Sequence, residues 1–390
     1  MHSIRHPRSL LYFGHTLVTG TVFAVVTALG PAPETSPRSD SLSAGAAPPC
    51  APYGAVLQAV VAPAIPNLRL GYELALRGDF ALASGAREVW SLERLPAGWQ
   101  SRFPFGMTAL TGGVPTVALA DDRQLVGGPG VLEQTGVVLD CTWSELLDVV
   151  AGDAAESGFG RTMRAAGDLL LVAARYEGKG RVYLFRHTAS GWVRKAKFMP
   201  PRGWSGNQFG FSADVMRFGG ETYVAISGCD AGSEDDVFVY RGTGASFERE
   251  FSFHDGRASG PENGVSVLIG GANYPVVVTA PPASSDTVMV HRRSGAAGSW
   301  LRISDLRAPG NIALADFDGA RLALARLGTV YLYEVNDTGA SWFERGSVVG
   351  SPYDEFGSSV ALDGSTMLVG APMHSRSDAS ASGAVYVYAL

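Results

Sequence analysis

The residues that bear chemistry in this sequence are few and scattered. Of seven histidines, His2, His6 and His15 fall near the start. The others, His187, His254, His291 and His374, lie far apart, and none has a partner at metal-ligand spacing. His291 occupies a position that is aromatic in related segments, which fits a packed ring. There is no Gly-x-Ser-x-Gly elbow, no P-loop and no paired-cysteine signature. Gly158-Phe-Gly-Arg-Thr-Met-Arg has the look of a phosphate loop but coincides with a repeated motif. Cys50, Cys141 and Cys229 are too sparse for a disulfide framework, though an exported chain has room for one bridge. The acidic stretch Asp230–Asp236 reads as a solvated turn, and Asn336-Asp-Thr338 is a glycosylation acceptor only where the compartment permits it. No catalytic constellation emerges, so the sequence predicts no enzyme. Any function has to come from how the elements of the fold present their loops.

Composition sets the class of those elements. Charged residues make up 17%, hydrophobic residues 46%, and 49 of 390 residues are glycine. Low charge with high glycine fits many short strands joined by tight turns, and argues against a coiled coil, a helical bundle or a disordered tail. The net charge of −6 and the lack of a long Lys/Arg run exclude the electrostatic footprint of a nucleic-acid binder.

The chain divides into three. Residues 1–30 start with His2, Arg5, His6 and Arg8 and continue into the uncharged run 16–30; no acid precedes Glu34. This is the pattern of a secretory signal, with an uncleaved anchor as the alternative. Residues 31–53, rich in Pro, Ser and Ala, read as a flexible linker. Localisation is therefore expected to be secreted, extracellular or periplasmic, or anchored at the cell surface, with membrane contact only through that anchor.

Residues 54–390 repeat. The last copy reads Phe356-Gly-Ser-Ser-Val-Ala-Leu362-Asp-Gly364, then Leu368-Val-Gly-Ala-Pro372, then Gly383-Ala-Val-Tyr-Val-Tyr388. Related copies open at positions 74, 117, 163, 213, 265, 312 and 360. Each copy offers a short strand, a Gly/Asp turn and an apolar strand ending in small residues. A third strand with alternating aromatics follows, such as Val182-Tyr183-Leu-Phe185, and then a hairpin that delivers Trp99, Trp192, Phe247, Trp300 or Trp342, with Trp143 a further candidate. Four strands in about fifty residues are one propeller blade. The seventh copy ends after its third strand, so residues 54–62 are predicted to supply its fourth and close the ring. The fold class is thus all-β: a seven-bladed propeller of four-stranded antiparallel blades. The segment Ser144–Val150 is expected to be a short helical excursion.

The Phe-Gly…Leu-Val-Gly-Ala-Pro…Gly-Ala-Val-Tyr-Val-Tyr pattern resembles the FG-GAP repeat, the unit of the integrin α-subunit head and of many secreted or surface proteins. The resemblance implies a seven-bladed propeller and adhesion or ligand binding outside the cell, usually without catalysis. It also implies Ca²⁺ in turns between first and second strands. Ca²⁺ needs six to eight oxygens, and most of those turns are too short or too poor in acids here. Only Asp316-Phe-Asp318-Gly319 keeps two carboxylates at the right spacing, with Ala320 and Arg321 where acids are wanted.

Propeller geometry sends the loops from strand two to three, and from strand four to the next blade, to one face. They are the longest here, so Tyr176, Trp204, Tyr353, His374 and Arg376 are candidate ligand-binding residues on that rim. The expected role is a monomeric binding, adhesion or scaffold module for an extracellular protein or glycan. The alternatives are a hydrolase or lyase with a site in the central funnel, which requires polar residues from several blades to converge there, and a carbohydrate-binding propeller.

Overall fold

The structure is a computed structural model. It describes residues 55–106, 114–121, 123–130, 135–142, 146–155, 157–229, 236–255, 264–280, 287–295, 298–307, 313–326, 328–336 and 339–390. The expected signal, the linker, Cys50 and Trp143 lie outside these residues. Strand β1 is Val56–Val61. Blade 1 holds β2 (Leu74–Arg77), β3 (Phe80–Ser84), β4 (Glu88–Leu95) and β5 (Gly98–Gly106), and blade 2 holds β6 (Thr116–Ala120), β7 (Arg123–Gly128), β8 (Val137–Cys141) and β9 (Leu146–Ala151). Blade 3 is β10 (Thr162–Ala166), β11 (Leu169–Ala174), β12 (Arg181–Thr188) and β13 (Gly191–Phe198); blade 4 is β14 (Ala213–Phe218), β15 (Glu221–Ser227), β16 (Val237–Thr243) and β17 (Ser246–Phe253). Blade 5 is β18 (Ser266–Gly270), β19 (Val276–Ala280), β20 (Thr287–Ser294) and β21 (Ser299–Arg307); blade 6 is β22 (Ala313–Phe317), β23 (Arg321–Arg326), β24 (Thr329–Val335) and β25 (Trp342–Val349). Blade 7 has β26 (Val360–Asp363), β27 (Thr366–Ala371) and β28 (Ala384–Ala389), completed by β1.

Each blade is a four-stranded antiparallel sheet, and the first strands contact one another in cyclic order back to β26 against β2. The ring closes as the sequence predicted, with Leu57 opposite Tyr388 and Val60 opposite Tyr386. One expectation about the strands fails. The segment expected to be helical supplies β9, the fourth strand of blade 2. Leu-Leu-Asp-Val-Val-Ala is β-branched only in part, but its pairing with β8 decides the matter, because a blade without a fourth strand leaves that edge bare.

The inner and outer strands differ in burial as their residues require. The second strands β11, β19 and β27 are buried throughout, whereas β13 on the outside is mostly half-exposed or exposed. Every pairing of a third with a fourth strand carries a register break, a bulge that increases the twist of the blade. The aromatics fill the gaps between blades. Phe159 sits edge-on to Tyr183 and Phe185, Phe209 lies against Phe238, and Phe356 meets Tyr386. His291 is a packed ring too, 4.1 Å from the Phe253 centroid.

The Phe-Gly and Gly-Ala-Val-Tyr motifs are two sides of one contact. Gly180, which precedes β12, has φ +103°, and a Cβ there would stand 2.1 Å from the carbonyl oxygen of Phe209 in the next blade. Only glycine meets both conditions. Blades can therefore approach backbone to backbone, and the phenylalanine is buried in the seam.

Candidate functional site

Three carboxylates and one guanidinium converge on the axis, all on or directly before first strands. Glu73 precedes β2, Arg164 is on β10, Asp214 on β14 and Asp316 on β22. Arg164 lies within electrostatic reach of all three acids. Burial pushes the Glu73 carboxyl up to about 7 and that of Asp214 up to about 6, and raises Asp316 as well; Arg164 acts against the shift in each case.

These acids are already engaged. Asp214 accepts the N–H of Val215 at 2.9 Å and, across the blade junction, that of Ile269 at 2.9 Å. Asp316 repeats the arrangement with Phe317 at 3.0 Å and Leu362 at 2.7 Å. Glu73 accepts from Val117 in blade 2 at 3.2 Å. Hydroxyls stitch other junctions: Thr116 donates to the Gly160 carbonyl at 2.5 Å, and Ser359 to that of Gly71 at 2.8 Å. First strands of neighbouring blades share no ladder, so side chains must satisfy their inner backbone groups. The axis is polar, and its three carboxylates serve as joints between blades.

The sequence reasoning missed this cluster. The signal was present: Met163-Arg164-Ala165 and Ala213-Asp214-Val215 each place a charge inside an apolar first strand. It also missed the carboxylates that receive the indoles. Trp192 donates Nε1–H to Asp140 of blade 2 at 2.9 Å. Trp300 donates to Glu250 of blade 4 at 3.0 Å, and Glu250 is held in turn by Arg293 and Arg241.

The acids of the turns between first and second strands do other work. Asp121 pairs with Arg77 at 2.7 Å, Asp168 pairs with Arg186 at 2.6 Å and with Arg217, and Asp363 accepts the Gly78 N–H. Asp318 closes its own turn by accepting from Ala320 and Arg321 at 2.9 and 2.7 Å, while Asp316 reaches the next blade. Two carboxylates bound to separate amides do not fit a cation that needs six to eight oxygens. No group of three or more His, Cys, Asp or Glu arranged for a metal occurs among the described residues. Of the acidic stretch 230–236 only Asp236 is described. It is buried, accepts the Asp255 N–H at 2.8 Å and faces His254 Nδ1 at 3.7 Å, and burial pushes its carboxyl up to about 6.

Three of the five rim candidates come together on blade 7. Ser351 caps a 3₁₀ turn, Pro352–Asp354, that leaves Tyr353 91% exposed. Asp354 bonds His374 Nδ1 at 2.9 Å, which ties this turn to the loop between β27 and β28. In that loop Arg376 grips Asp378 and the Ala62 carbonyl, each at 2.9 Å. Tyr176 stands apart on blade 3, 45% exposed, with Arg175 over its ring at 4.8 Å. Trp204 is no rim residue. It is 4% exposed and edge-on to Phe209 and Phe238, filling the junction of blades 3 and 4, since an indole that can reach an apolar seam gains more by burial than by decorating a loop. Cys141 and Cys229 are both buried, and burial pushes the Cys141 thiol up to about 12.

Residues 348–388 match the profile of the FG-GAP repeat. This is a seven-bladed propeller carrying an FG-GAP repeat. No curated protein matches the chain. Among solved structures, a chain from "Crystal Structure of Mitotic Checkpoint Complex" matches the propeller with 13% identity and a TM-score of 0.55, covering 96% of this chain and 99% of that one. At that identity the likeness is one of fold. It is one of 684 matching chains, so the architecture singles out no activity.

Proposed function

We propose that this propeller is a non-catalytic binding or adhesion module that works outside the cell and meets an extracellular protein or glycan with the loops of one face. The observation that carries this reading is the blade 7 corner. Tyr353 stands 91% exposed on a capped turn, beside a loop locked by the His374–Asp354 and Arg376–Asp378 pairs. An exposed aromatic on a rigid mount is preorganised for contact and loses little entropy on binding. The test is a glycan and extracellular-protein array probed with the chain and with Tyr353→Ala. Binding that the substitution weakens tenfold or more supports the reading; binding unchanged by it removes this corner from consideration.

A second reading is a hydrolase or lyase acting at the axis, because Glu73, Arg164, Asp214 and Asp316 do converge from four blades, with the Glu73 carboxyl near neutrality. The backbone amides that occupy all three acids favour the first reading. Turnover of an ester, glycoside or polyuronate library that is lost in Glu73→Gln would reverse that preference.

A further inference from the structure

The strand that closes the ring belongs to the opposite end of the chain from the strand it pairs with. β1 leads into blade 1 through residues 62–69, which contain Pro63 and Pro66. Within this connection Asn67 has φ 58° and Arg69 φ 55°, both in the left-handed region. Asparagine tolerates that conformation; arginine, with no short polar group to bond its own backbone, is strained there. The strain is held by a seam to blade 7. Asn67, Arg69 and Leu70 donate N–H to the carbonyls of Ser380, Ala381 and Ser382 at 2.9, 3.0 and 3.0 Å, and Ala381 itself has φ 45°.

β1 differs from the other outer strands in a second way. β5, β9, β13, β17, β21 and β25 each carry at least one charged residue, whereas β1 reads Val-Leu-Gln-Ala-Val-Val. Charged residues on edge strands keep chains from pairing. The outward face of β1 shows Val56 at 63% and Val60 at 39% exposure, so no charge on the strand opposes its entry into blade 7 of a second ring.

We infer that two copies of this chain exchange β1, each strand completing blade 7 of the other ring. A reciprocal exchange keeps the pairing of Leu57 with Tyr388 and of Val60 with Tyr386. It lets 62–69 extend, releasing Arg69 from the left-handed region while the seam amides turn to water. Short connections under strain favour this kind of swap. Reach is sufficient: eight extended residues span ~27 Å, and a four-stranded blade is ~15 Å wide.

The experiment uses the full chain with Cys50→Ser, Val60→Cys and Tyr386→Cys, refolded at ~1 and ~100 µM protein and then oxidised. Exchange predicts a covalent species of twice 40.9 kDa on non-reducing gels, its share rising with refolding concentration. Adding Arg69→Gly, which relieves the strain in the closed monomer, should lower that share at least threefold. Cross-linked monomer alone at every concentration overturns the proposal. Should the cysteine pair impair folding, light scattering on the unaltered chain decides. A dimer formed at high concentration that persists for hours after dilution supports exchange; a monomer throughout, or a dimer that dissociates at once, overturns it.

Discussion

Replacing Glu73 by glutamine should make the propeller more stable at alkaline pH and leave it almost unchanged in acid. The carboxyl is raised from 4.5 to about 7, chiefly by burial, with Arg164 and the Val117 amide opposing the rise. The folded chain therefore holds this proton more tightly than the unfolded chain does. The stabilisation from that proton is fully present below 4.5 and is lost as the pH climbs through about 7. Moving the carboxyl that far corresponds to about 3 kcal/mol between its two protonation states. Glutamine keeps a carbonyl for the Val117 N–H and does not titrate, so the variant should exceed the native chain by about 3 kcal/mol at pH 8 and by about 0 at pH 4. Urea unfolding at both pH values measures the difference. Arg164→Met supplies the opposite sign. Without the shared guanidinium, three ionised acids face one another, and about 3 kcal/mol or more should be lost at pH 8 and far less at pH 5. An equal effect at both pH values for either variant would refute the view that these acids ionise at the expense of the fold.

Gly180→Ala should cost about 3 kcal/mol or prevent folding, because its Cβ meets the Phe209 carbonyl at 2.1 Å in a backbone with φ +103°; thermal melting measures it, and a loss below half that would mean the blades separate easily. Trp300→Phe should cost about 2 kcal/mol, since it removes the donor to the Glu250 carboxylate at 3.0 Å and leaves a small void; the urea midpoint reports it. Tyr353→Ala should leave stability within about 0.5 kcal/mol of the native chain, as the ring is 91% exposed, so any loss of ligand binding is a loss of contact and not of fold.

The blade plan was legible because it is periodic. The Phe-Gly pair, the small residues ending β27 and the alternating aromatics of β28 recur at a spacing that only stacked, equivalent units explain. The missing strand was legible as well, since a copy without its fourth strand and a spare apolar segment at the other end imply each other. The fourth strand of blade 2 was not, because β9 lacks the aromatic marker and its form rests on the free edge of β8. Trp204 was misplaced for a related reason. Its loop position is visible in sequence, while the seam that buries it is formed by Phe209 and Phe238.

What the sequence settled by itself was the number of blades and the way the ring closes, because spacing along a chain is preserved when equivalent units stack. What only the tertiary structure decided was which charges meet. Glu73, Arg164, Asp214 and Asp316 are separated by at least fifty residues and become neighbours because seven first strands share one axis. Their carboxyls rise because the closed ring packs protein around them from several blades, a property that no blade has on its own.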